Sequence, residues 1–92
     1  MIQVNEVRRD GGWELAFSGH AGYSQGEDIV CAAVSILFFT LAEAVSQGGG
    51  GASFRSGQGR VFVPDGYERE RSFVRRGLSL LAERYPGNVK WG

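Results

Sequence analysis

The chain has 92 residues, 42% hydrophobic and 22% charged, with ten basic and ten acidic side chains and no net charge. That composition belongs to a folded domain and excludes a disordered one, and a neutral chain has no overall field to hold nucleic acid or an anionic membrane. One cysteine excludes an internal disulfide, and with one histidine beside it neither a self-contained metal site nor a cofactor is expected.

The opening MIQVNEVRRD is polar and does not read as a secretory leader. With a free thiol it points to a reducing cytoplasm. IQVNEVRR and WELAFSGH flank Asp10-Gly11-Gly12. Trp13, Leu15 and Phe17 alternate, and so do Ile2, Val4 and, after a slip in phase, Val7, which predicts a β-hairpin. From Gly19 to Glu27 there is no period, and glycines at 19, 22 and 26 mark a loop. The seventeen residues from Ile29 to Val45 are apolar except for Ser35, Thr40 and Glu43. That is marginal for a membrane span and reads as a core helix, covered on more than one side, running from an Asp28 N-cap to about Gln47.

Gly48 to Gly51 ends this helix as a flexible connection, and ASFRSGQGRVFVP predicts a second hairpin turning at Ser56-Gly57-Gln58-Gly59. A second helix is expected over Tyr67 to Tyr85. Its apolar stripe is Phe73, Val74, Gly77, Leu78, Leu81, Ala82 and Tyr85, and its arginines form a solvated face. Pro86-Gly87 stops it, and NVKW suffices for a short last strand. The order ββαββαβ over one domain, residues 1–92, predicts an α+β fold with two helices on one mainly antiparallel sheet.

The only histidine and the only cysteine stand eleven positions apart, in SGHAGYSQGEDIVCAAVSIL. An Asp28 cap makes Cys31 the third helical residue, in a first turn where unpaired amides and the helix dipole favour a thiolate. His20 closes the preceding strand, and a strand end and a helix start joined by a loop meet at one edge of a sheet. A histidine there can take the thiol proton and return it to a leaving amine. The helix-start amides offer donors for an oxyanion. Ser35 lies one turn beyond Cys31 on the same face, in reach of the thiolate or a substrate. The plainer alternatives are a core cysteine, a surface histidine and a serine bonded to the carbonyl one turn back.

Gly19-His20-Ala21 and Asp28-Ile29-Val30-Cys31-Ala32-Ala33-Val34-Ser35, eleven positions agreeing in kind and order, resemble the signature of the ribosomal-processing cysteine protease family known as Prp. The resemblance continues through the start MIQV and the late GLSLLAERYP and NVKW. It implies a homodimeric cysteine endopeptidase that removes the N-terminal extension of a large-subunit ribosomal protein before ribosome assembly. The family's catalytic histidine and cysteine fall on His20 and Cys31. Gly19, Asp28 and Ser35 fall on supporting or substrate-binding positions. The loop Ala21 to Glu27 is expected to order over bound substrate, with Tyr23 against an aromatic substrate side chain. The other function class is a non-catalytic ribosome-assembly module binding ribosomal protein or RNA, and the zero net charge speaks against RNA.

Overall fold

Alternation and helical spacing build the elements in the expected order. The computed structural model describes residues 1–22 and 28–92. Strands β1 (Ile2–Arg9) and β2 (Gly12–Ser18) form the first hairpin, helix α1 covers Ile29–Val45, β3 (Gly51–Arg55) and β4 (Gln58–Pro64) form the second hairpin, and α2 (Glu68–Arg84) and β5 (Val89–Trp91) close the chain. The strands make one five-stranded sheet in the order β3-β4-β2-β1-β5. Every pair is antiparallel except β1 with β5. The architecture is α+β.

Both helices lie on one face of this sheet. Ile2, Val4, Leu15, Phe17, Val61, Val63 and Val89 point into the core from the strands, against Val30, Val34, Phe38, Leu41 and Val45 of α1 and Val74 and Leu78 of α2. The α1 set recurs at steps of four, four, three and four, the helical stripe that the sheet covers. Phe17 meets Phe38 edge to face, with ring centroids 4.7 Å apart. By length and composition Ile29–Gly48 is apolar enough to cross a membrane. Here its buried stripe lies on the sheet, and Gly77 of α2 packs against Leu37 at its side. Its outward side is not covered: Ile29, Ile36 and Phe39 are 55%, 59% and 49% exposed.

Several sequence expectations are corrected here. The slip in phase at Val7 is not a bulge, because the pairing with β2 runs unbroken from Gln3 to Arg9. Glu6 occupies the inward position instead, and Val7 is exposed. A carboxylate is stable there because α2 supplies cations: Arg71 Nη1 reaches Glu6 Oε2 at 2.6 Å and Arg75 Nε reaches Oε1 at 3.1 Å. Arg71 also stacks 4.4 Å from the Trp13 ring. These arginines are therefore not a uniformly solvated face. Phe73 is not on the core stripe and stands 78% exposed. The second turn is only Ser56-Gly57, since Gln58 already pairs with Arg55. The glycine tract is shaped by its neighbours rather than being a loose connection. Gly49 takes a left-handed φ of 92°, Gly48 lies against the Tyr67 ring, and Gly50 lies against Val45.

Candidate active site

The site is built where the end of β2, the start of α1 and the β3–β4 turn converge. Asp28 is the N-cap, with an extended backbone (φ −106°, ψ 99°), and its Oδ1 accepts from Val30 N–H at 3.0 Å and Cys31 N–H at 2.9 Å. Such a cap is worth about 1 kcal/mol. It sets Cys31 as the third residue of the helix, half-buried and unbridged. The cap also occupies two of the helix-start amides expected to hold an oxyanion, those of Val30 and Cys31. The sulfur has a different donor: Ala21 N–H reaches Cys31 Sγ at 3.2 Å.

His20 follows directly on β2 and is exposed. Its position is set through the backbone. Gly19, at φ +96°, donates its N–H to the Gly57 carbonyl at 2.7 Å, and the Met1 nitrogen donates to the His20 carbonyl. The imidazole lies over Gly57, where an added Cβ would stand 2.8 Å from Nε2. Only glycine leaves that room, and Gly57 also has a φ of +74°.

His20, Cys31, Gly19 and Ser35 line one cleft of about 250 Å³. Its far wall is aromatic: Phe39, two turns along α1 from Cys31, meets Phe54 of β3 edge to face at 4.8 Å. Phe54 and Phe17 close over Gly59, which has no room for a side chain. Arg55 forms part of the lip. Among the described residues no hydrogen bond joins the His20 imidazole or the Ser35 hydroxyl to Cys31 Sγ, although both side chains line the cleft that holds the thiol. Tyr23, Glu27 and the expected loop between them lie outside the described residues. A larger hollow of about 390 Å³ opens on the face of the sheet without helices, among Asn5, Glu14, Ser53 and Arg60, and is lined by neither the histidine nor the cysteine.

The structure thus brings His20, Cys31, Gly19 and Ser35 together, with Asp28 beneath them as the cap. Sequence reasoning missed Ala21, Phe39, Phe54, Gly57 and Asn88, whose Nδ2 donates to the Ala21 carbonyl at 2.8 Å. Phe39 was reachable, since it continues the helical face of Cys31 and Ser35. The others depend on which strands pair and on where α2 ends.

The family model of the cysteine protease Prp matches residues 1–90. The chain belongs to the Prp cysteine protease family. That membership decides for a peptidase and against the non-catalytic module. Two solved structures of the essential ribosomal processing protease Prp from S. aureus resemble the fold. One, with a covalently linked product peptide, matches at a TM-score of 0.82 and 22% identity, covering 100% of this chain and 98% of that one. The other, with a substrate peptide, matches at 0.79 and 21%, with the same coverage. SMU.848 from Streptococcus mutans is 29% identical at a TM-score of 0.75, covering 99% of this chain and 91% of that one. Among curated proteins nothing matches the chain.

Proposed function

We propose that this Prp-family protease is the endopeptidase that removes the N-terminal extension of a large-subunit ribosomal protein before assembly, acting in the cytoplasm as a homodimer. The observation that carries the reading is Cys31 in the first turn of α1, its sulfur accepting a backbone N–H in a cleft that also holds His20. The S. aureus protein of the same fold is a ribosomal processing protease that holds substrate and product peptides.

In this reading His20 takes the proton of the Cys31 thiol, and the sulfur attacks the scissile carbonyl carbon. The carbonyl pair moves onto oxygen and returns as the C–N bond breaks. The departing amine takes the proton held by His20, leaving a thioester that water hydrolyses with His20 as base. Asp28 orients the helix start. Gly19 shapes the backbone before His20, and Ser35 offers a hydroxyl to the bound chain. The aromatic pair Phe39–Phe54 suits apolar substrate side chains.

The test is incubation with a peptide copied from the organism's own ribosomal protein N-terminus. Cleavage is expected with the wild type and not with Cys31→Ala or Cys31→Ser. Turnover by Cys31→Ser near the wild-type rate would refute the nucleophile. The dimer is supported by the uncovered apolar side chains of both helices, Ile29, Ile36, Phe73 and Leu80. Light scattering at micromolar concentration should give about twice the 10.0 kDa chain mass, and Ile36→Glu should halve it. A monomeric wild type would refute this part alone.

A further inference from the structure

The amides of Val30 and Cys31 donate to Asp28, so neither is aimed at the reacting centre. The N–H that meets the sulfur comes from a different element, Ala21, just past the end of β2. Ala21 is 2% exposed, which shields this donor from water and strengthens it. Both ends of the residue are held. Its N–H faces Cys31 Sγ at 3.2 Å, and its carbonyl accepts from Asn88 Nδ2 at 2.8 Å. Asn88 is itself fixed in the turn before β5: its N–H donates to the Tyr85 carbonyl at 2.9 Å, and its carbonyl accepts from Ile2 N–H at 2.8 Å. A side chain from the far end of the fold therefore sets the direction of the amide at the nucleophile.

We propose that Ala21 N–H stabilises the charge of the acylation step, first on sulfur and then on the substrate oxygen, and that Asn88 is the positioning residue that aims it. The inference rests on Cys31 being the nucleophile. As the Sγ–C bond forms, the carbonyl π pair moves onto oxygen and the negative charge leaves sulfur for an atom on the carbon just bonded to it. A donor 3.2 Å from sulfur lies in reach of that oxygen, and oxyanion donors act at about 2.7–3.1 Å. When the C–N bond breaks and the amine takes its proton from His20, the oxygen pair returns to the carbonyl and the N–H is free to face sulfur again.

The experiment uses the full chain and two readouts: the rate at which iodoacetamide alkylates Cys31 at neutral pH, and inhibition by a peptide aldehyde. The aldehyde's hemithioacetal places an oxyanion-like oxygen on the carbon bonded to Sγ. Asn88→Ala loses one hydrogen bond that aims the donor, and each readout should fall roughly tenfold. Asn88→Gln, which keeps an amide donor, should recover part of the loss. Val89→Ala thins the adjacent core, keeps the Asn88 amide, and should leave both readouts near wild type. If Asn88→Ala does not fold, Asn88→Asp keeps the size, lacks the N–H donor and serves in its place. Wild-type alkylation and aldehyde inhibition in a folded Asn88 variant would overturn the proposal, as would equal losses in Val89→Ala. A wild-type Cys31 that alkylates no faster than a cysteine in a short peptide would overturn the nucleophile reading itself. A reactive wild type with unaffected Asn88 variants would overturn this proposal and leave the nucleophile reading standing.

Discussion

The two ends of the sheet are held by different means. Where α2 crosses β1, side chains do the holding: Glu6 binds Arg71 and Arg75, Arg71 stacks on Trp13, Arg75 lies 5.7 Å from the Trp91 ring, and Trp91 Nε1 donates to Ser79 Oγ at 2.8 Å. At the cleft the backbone does most of it. Gly19 N–H meets the Gly57 carbonyl, the Met1 nitrogen meets the His20 carbonyl, and Ala21 is gripped at both ends. A side chain committed to a structural bond is not available for chemistry. Fixing the main chain around His20 and Cys31 leaves the imidazole exposed and the sulfur with a single amide donor among the described residues.

The contrast can be broken from either side. His20→Ala should reduce peptide cleavage roughly 10²-fold or more and slow alkylation of Cys31 near neutral pH while the melting temperature holds. Unchanged rates in both assays would remove His20 from the reaction. Glu6→Ala should do the opposite. It leaves Arg71, whose side chain is only 19% exposed, without its carboxylate partner. A loss of about 2 kcal/mol in urea unfolding is expected, discounted from a fully buried pair because Arg75 is half exposed. Cys31 alkylation in the folded protein should be unchanged, and a loss of reactivity would show that the two ends are coupled.

A third variant, Gly57→Ala, lies between these. The new methyl meets the imidazole, whose shift costs little energy because the ring is exposed, but that shift moves the proposed base. Together with the positive φ, about 1 kcal/mol of stability should go, with a fall of roughly tenfold in kcat/KM. Cleavage at the wild-type rate would mean that Gly57 does not set the position of His20. The smallest effect concerns Arg8 and Asp65, a two-pronged exposed pair at 2.6 and 3.1 Å. The hydrogen bond from Arg8 holds the Asp65 carboxyl below its ordinary 3.8. A carboxyl lowered in the folded state adds stability above its unfolded value and loses it as pH falls through the folded one. Melting temperatures of wild type and Asp65→Asn should differ slightly at neutral pH and converge below pH 3.8. A gap that widens in acid would contradict this assignment.

Much of this was legible in the residues themselves. Alternation at Trp13, Leu15 and Phe17 and the cap at Asp28 placed β2 and α1, and the motif joined His20 to Cys31 before any contact was known. The misreadings share one physical cause. Periodicity puts Val7 on the apolar face after a slip in phase, because the partners that let Glu6 point inward stand 65 or more residues on, in α2. Phe73 fitted a helical stripe but sits at its margin, where α1 and the sheet do not reach. Asn88 carries no local signal, since its side chain matters only once β5 lies beside β1. Local periodicity specifies elements, and the partners of polar side chains emerge only from how the elements pack.

The grip of Asn88 on Ala21 spans 67 positions and depends on β5 joining β1. Contacts of such separation form late, because closing the intervening loop costs entropy that nearer pairings do not. During synthesis His20, Cys31 and α1 leave the ribosome well before Asn88 exists. A nascent chain halted after α2 would hold His20 and Cys31 without the residue that anchors the Ala21 carbonyl. The order of synthesis would thus act as a timer, with the contact at Ala21 made only once the chain through Asn88 and β5 is available.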